Sequence, residues 1–260
     1  MRFILDLLIK GKPGEFLPTN YQYELSTAIS KILYNVAPND RWLLLSDGLG
    51  VGDAVFKTFT YGELKLDDGR DCPGNGSMVH TGQGATLDIR FVDDHITEDL
   101  IHRVFMNQWI DLGDRSAPVS FQIIGVKAMK PIVFDAEVIY RSITPIYLPK
   151  QASTNVTSKS CSFHQVIKVS LLQRLLSFQP NFPALKYKLD EYCPDIQFKL
   201  LNEPKKTTVT LRGSTQCPIQ LMGYYIDFKL RASPVLHELG YYGGFGNKNW
   251  LGLGCVEVMA

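Results

Sequence analysis

The chain has 260 residues, 45% hydrophobic and 20% charged, the balance of a globular protein with a real core in one or two domains. Its formal net charge is only +1, so any nucleic acid it binds must meet positive charge gathered on one surface. No apolar run approaches the roughly 18 residues of a membrane span, the opening MRFILDLLIKGKPG lacks the layout of a signal peptide, and Cys72, Cys161, Cys193, Cys217 and Cys255 have neither disulfide-framework nor zinc spacing, so a cytoplasmic protein without a structural metal is expected.

Residues 2–9 alternate, with Phe3, Leu5, Leu7 and Ile9 on one side, and read as a strand. A loop with Pro13 and Pro18 follows. Thr19 and Gln22 have capping-box spacing, and Tyr21, Leu25, Ala28, Ile29, Ile32 and Leu33 recur at helical spacing, predicting a helix over 20–34. The next stretch is Gly-rich and gives no clear pattern. Residues 54–62 and 79–92 read as strands, with DDGRDCPGNGS between them as a loop. A second helix is predicted near 96–109, with Glu98 and Asp99 in its first turn, and a strand over 119–127. The order β-α-β-β-α-β is that of a ferredoxin-like unit.

The second half follows this order more loosely. Strand is predicted at 134–147, helix at 164–177, a short helix at 182–192, and strands at 196–202, 206–212 and 219–231. Ser233 and Pro234 make an N-cap and N1 pair for a helix through Leu239, and a strand at 254–258 closes the pattern. The expected fold is α+β: two tandem ferredoxin-like (RRM-like) domains, 1–131 and 132–260, with a C-terminal glycine-rich loop.

That loop lies within GYYGGFGNKNWLGLGCVEV, where Gly240, Gly243, Gly244, Gly246, Gly252 and Gly254 fall close together around Lys248, flanked by Asn247 and Asn249. Glycine lets backbone N–H groups approach a ligand closely, so backbone donors and one lysine suit a phosphate. A Gly-rich turn that binds nothing fits the same residues. On the predicted 219–231 strand, Tyr225, Asp227, Lys229 and Arg231 would share one face, a setting for phosphate contact and base stacking; an ordinary half-exposed strand fits equally. Lys205 and Lys206 read as a solvated turn pair. Gly48-Leu49-Gly50-Val51-Gly52 is not a dinucleotide fingerprint, because position 53 is Asp and no βαβ unit surrounds it. No HExxH or GxSxG is present.

Gly244-Phe245-Gly246, five residues containing a lysine, then Gly252-Leu253-Gly254 resembles the signature glycine-rich loop of the repeat-associated mysterious protein (RAMP) superfamily. More narrowly, it resembles that superfamily's CRISPR repeat-processing endoribonucleases. The opening MRF strand, the helix start Asn20-Tyr21-Gln22-Tyr23-Glu24-Leu25-Ser26, the strand Phe56-Lys57-Thr58-Phe59-Thr60-Tyr61 and the segment Ser142-Ile143-Thr144-Pro145-Ile146 are similar to family features in the same order.

The resemblance implies metal-independent RNA cleavage, in which a 2′-OH attacks the adjacent phosphate and leaves a 2′,3′-cyclic phosphate. Such chemistry needs a base, an acid and a cation for the phosphorane charge. Many members place a histidine just after the first helix, a tyrosine on that helix and a lysine on the next strand. Here Lys57 matches the lysine, Ser30 stands where the tyrosine would, and Trp42 to Phe56 holds no histidine. The resemblance therefore implies either a slower nuclease or a repeat binder that does not cut. In the first case Lys57 and Lys31 stabilise charge, Ser30 is a further catalytic candidate, and Ser46 or Tyr21 positions the phosphate. His80, at a strand edge, is a candidate replacement base; His95 and His102 read as solvated, His164 and His237 as structural. The RNA-binding candidates are Gly244, Phe245, Gly246, Asn247, Lys248, Asn249, Gly252, Gly254, Lys229 and Arg231. Repeat RNA is the implied partner, with effector-complex subunits and a second copy of the chain as further candidates; no cofactor and no membrane are implied.

Overall fold

The structure, a computed structural model, describes residues 1–12, 14–36, 49–51, 54–72, 77–92, 96–113, 118–148, 159–178, 196–211 and 218–259. The first half contains β1 (Arg2–Lys10), β2 (Phe16–Pro18), α1 (Gln22–Val36), β3 (Leu49–Val51), β4 (Ala54–Phe56), β5 (Phe59–Leu66), β6 (Gly69–Cys72), β7 (Ser77–His80), β8 (Gly84–Phe91), α2 (Glu98–Phe105), β9 (Trp109–Leu112) and β10 (Val119–Ala128). The main sheet runs β5-β8-β1-β10-β9, every pair antiparallel. Without the extra edge strand β9, this is the strand order of a ferredoxin-like unit. Alternation places Phe3, Leu5, Leu7 and Ile9 of β1 inward, where they meet Leu25, Ile29, Ile32 and Leu33 of α1 and Leu100, Ile101, Val104 and Phe105 of α2 in one core.

The second half contains β11 (Glu137–Ser142), β12 (Ile146–Tyr147), α3 (Lys159–Phe178), β13 (Gln197–Leu200), β14 (Lys205–Leu211), β15 (Ile219–Tyr225), β16 (Asp227–Arg231), α4 (Pro234–Gly243), a 3-10 turn (Asn249–Leu251) and β17 (Val256–Val258). Its sheet runs β13-β16-β11-β17, antiparallel throughout, which is the same order again. Phe163, Ile167, Leu171 and Leu175 of α3 and Val235, Leu236 and Leu239 of α4 fill the core beneath it. The hairpin β14–β15 is inserted between the second and third strands and pairs with β12. The chain is thus two tandem ferredoxin-like units.

Several boundaries differ from expectation for identifiable reasons. Helix α1 begins at Gln22, so Thr19 lies upstream of the cap position. Helix α2 is capped by Thr97, whose side chain accepts the Leu100 N–H, and ends at Phe105 because Asn107 adopts φ 62°; the chain then reverses into β9 instead of continuing to 109. The flanks of the DDGRDCPGNGS segment form the hairpin β6–β7. The strand expected over 219–231 breaks at Ile226, sending β15 and β16 into different sheets. The helix expected over 182–192 lies outside the described residues. Ser233 does occupy the N-cap of α4, with Pro234 in the first turn.

The units meet where β5 and β8 of the first face α4 and the glycine-rich loop of the second. Arg90 of β8 is fully buried at this seam. Its guanidinium pairs with Asp88 (Nη2 to Oδ2 2.7 Å), donates to the Tyr241 and Val256 carbonyls (3.2 and 2.6 Å), and stacks over the Tyr241 ring. Arg2 adds bonds to Asp88 and to the Tyr241 hydroxyl.

Candidate functional site

Lys57 lies between β4 and β5, facing α1. Its Nζ donates to Ser30 Oγ at 3.4 Å and stands 4.8 Å from the Trp250 ring centroid and 6.0 Å from that of Phe59. Three distant stretches therefore converge: α1, the start of β5, and the 3-10 turn that carries Trp250. Of the residues the sequence singled out for catalysis, Lys57 and Ser30 are brought together. Lys31 is exposed, a residue further round the helix.

Tyr21 is corrected. It is 4% exposed and its hydroxyl accepts the Leu64 N–H at 2.9 Å, so it is a core residue tied to β5 that touches the seam groove with little of its surface. Burial pushes its pKa up to about 12. His80 is also corrected as a base: it is 2% exposed, with Nδ1 bonded to the Gly82 carbonyl at 3.1 Å. Ser46 lies outside the described residues, as does His95. His102 is exposed; His164 is bonded to the Ile196 carbonyl, and His237 is fully buried.

Several backbone N–H groups of the glycine-rich loop are engaged within the fold. The Phe245 N–H bonds the Gly254 carbonyl (2.7 Å), the Gly254 N–H bonds Pro145 (2.9 Å), the Gly252 N–H bonds Asn249 (2.9 Å) and the Asn247 N–H bonds Tyr147 (3.4 Å). Phe245 is a core residue, packed on Tyr140 and Phe228. Asn249 is 4% exposed, its amide donating to the Phe245 and Leu253 carbonyls at 2.9 Å each. Gly244, Gly246, Gly252 and Gly254 are buried at positive φ. Their role is to let the loop fold tightly: a Cβ on Gly254 would sit 1.9 Å from the Phe245 oxygen, and one on Gly252 would sit 2.4 Å from the Tyr61 ring. Of the loop candidates, only Asn247 and Lys248 keep partly exposed side chains.

The centre of this loop is Arg174, a residue of α3 that the sequence reading passed over. Its guanidinium is 1% exposed and donates to the carbonyls of Leu239 (3.1 Å), Gly244 and Gly246 (3.3 Å) and to Asn249 Oδ1. It also stacks over Phe56, the neighbour of Lys57, at 5.1 Å. Burial pulls its pKa down to about 9, which leaves it charged at neutral pH. The signal was present: Phe163, Ile167, Ser170, Arg174 and Phe178 recur at helical spacing, so Arg174 falls on the buried stripe.

On the second sheet, Lys229 and Arg231 share a face with Asp227, as alternation requires. Tyr225 does not join them; it belongs to the hairpin, and its hydroxyl donates to Glu63 of the first unit at 2.9 Å. Lys229 is bonded to Glu137 at 2.8 Å, which lowers the Glu137 pKa. Arg231 is exposed. At the seam, a groove of about 310 Å³ opens between Asn20, Gln22, Glu63, Thr144, Thr207 and Gly252, among others. No helix among the described residues is long and apolar enough to cross a membrane.

Residues 128–258 match the family model for the C-terminal part of the CRISPR associated protein Cas6. Among solved structures, the fold is similar to that of a Cas6-related protein from Pyrococcus furiosus, at 20% identity and a TM-score of 0.73, covering 100% of this chain and 98% of that one. It is also similar to a RAMP protein binding different RNA substrates (19% identity, TM-score 0.69, each chain covered in full). A structure of a CRISPR associated protein Cas6 is similar at 21% identity and a TM-score of 0.67, covering 100% and 99%. No curated protein sequence matches significantly.

Proposed function

The chain belongs to the Cas6 family of CRISPR-associated proteins, and from that premise we propose that it binds the repeat RNA of a CRISPR array and cuts it. The observation that carries the cutting is the placement of Lys57 beside Ser30 and Trp250, at the meeting of α1, β5 and the glycine-rich loop. An ammonium held there suits the negative charge that develops when a 2′-OH attacks the adjacent phosphorus, with a 2′,3′-cyclic phosphate as product. The attack requires the 2′-OH, which makes RNA the substrate and DNA inert. The RNA would run along the seam groove past Lys248 and Asn247, with Arg231 contributing phosphate contact. In this reading the two ferredoxin-like units divide at residue 131, and no metal or other cofactor takes part.

A second reading, binding without cutting, is favoured by one observation: serine stands at the tyrosine position and Trp42 to Phe56 supplies no histidine. The test is an assay in EDTA with labelled repeat RNA and the same RNA carrying a single 2′-deoxy at the cut site. A discrete cyclic-phosphate product, abolished by the 2′-deoxy and slowed about 10²-fold or more by Lys57→Ala, supports cleavage. Tight binding with no product at enzyme excess leaves the binder.

A further inference from the structure

We propose that Trp250 is a positioning residue for Lys57: the glycine-rich loop of the second unit supplies the aromatic face that holds the lysine of the first in place. This rests on the cleavage reading above. A lysine carries a flexible four-carbon stem, and an ammonium that must meet a transient phosphorane loses rate if it samples many rotamers. Ser30 Oγ fixes one direction at 3.4 Å. The Trp250 ring, 4.8 Å from Nζ, fixes a second through attraction between the cation and the π face, and Phe59 at 6.0 Å lines the same side.

The ring is itself held. Trp250 is half-buried and packs against two cores, that of the first unit and the small cluster with Leu251 and Leu253. On either side of the 3-10 turn, Lys248 (φ 58°) and Gly252 (φ 71°) reverse the chain. The Asn249 carbonyl accepts the Thr60 hydroxyl of β5 at 3.2 Å, and the Asn249 side chain is gripped by Arg174. A chain of direct contacts therefore runs from Arg174 through Asn249 to the turn, and from Trp250 to Nζ of Lys57. The glycine-rich loop acts on this site by shaping where an aromatic ring points.

The test compares Trp250→Leu with Trp250→Phe in the full-length protein. With repeat RNA, Trp250→Leu should lower kcat about two- to thirtyfold, the span of a cation–π contact from exposed to desolvated sites. Its Kd for the uncleavable 2′-deoxy RNA should not change, and Trp250→Phe should restore most of the rate. A second readout needs no catalysis: pulsed acylation of lysine amines, followed by mass spectrometry, should find Lys57 more reactive in Trp250→Leu than in wild type, with exposed Lys10 unchanged as the control. Incorporating fluorinated tryptophans, which weaken the π face without changing the fold, should lower kcat in step with fluorine number. Equal behaviour of the Leu and Phe variants, unchanged Lys57 labelling, or indifference to fluorination would each overturn the proposal. If the wild type cuts no RNA, the cleavage reading fails by itself, and the labelling result still decides whether Trp250 holds Lys57.

Discussion

Replacing Arg174 with methionine keeps the stem's packing and removes the guanidinium. Four acceptors then lose a charged donor: the carbonyls of Leu239, Gly244 and Gly246 and the side chain of Asn249. At about 1.5–3 kcal/mol for a hydrogen bond to a charged group, the gross loss is roughly 6–12 kcal/mol. Against this stands the cost of burying an arginine with no carboxylate beside it among the described residues, several kcal/mol, which the variant no longer bears. The net destabilisation should be about 3–5 kcal/mol. For a chain of this size that is a fall in Tm of about 6–20 °C. Arg174→Lys should recover little, because a point-like ammonium cannot reach acceptors spread across the planar fork. Thermal and urea unfolding followed by circular dichroism would measure it. A variant within 1 kcal/mol of wild type would refute the reasoning, showing that the glycine turns alone hold the loop.

Gly254→Ala should cost more than about 4 kcal/mol in urea unfolding, because backbone lies in the way of its Cβ. Gly14→Ala, also at positive φ but with open space around it, should cost only about 1 kcal/mol; similar costs at the two sites would count against the steric account. His237 is buried between Phe134 and Tyr140, bonded to the Tyr140 hydroxyl at 2.8 Å, and desolvation lowers its pKa below the ordinary 6.5. In the unfolded chain it takes up a proton as pH drops below about 6.5, while the folded form resists, so stability should decline as pH falls through that range. His237→Phe should lose stability at neutral pH and show a shallower decline between pH 7 and 5.5; an unchanged slope would remove His237 as its source.

The order of elements was legible because both halves alternate or recur cleanly: β1 reads as a strand from Phe3, Leu5, Leu7 and Ile9, and α2 as a helix from Leu100, Ile101, Val104 and Phe105. The edge strand β9 was hidden because Trp109 to Leu112 continues the helical spacing, and only Asn107 marks the reversal. At the site, Lys57 and Ser30 could be found from their positions along a familiar pattern. The glycines could be found too, but not the tight packing they permit: composition shows permissive backbone without showing which of its N–H groups bond within the fold. Trp250 and Arg174 escaped for a common reason. Each acts across a long sequence separation, 193 positions from Lys57 to Trp250 and 75 from Arg174 to Asn249; periodicity puts Arg174 on a buried stripe but names no partner at that distance.

Arg90 bears on how far the two units depend on each other. Its charge is neutralised within its own half by Asp88, yet its Nη1 donates to carbonyls of the other half. Separating the halves would strand those donors and uncover the apolar residues packed across the seam. The halves should melt together in one calorimetric transition, and neither should survive expression alone. Two units with the same strand order thus share one cooperative fold, in which each half completes the other's polar seam.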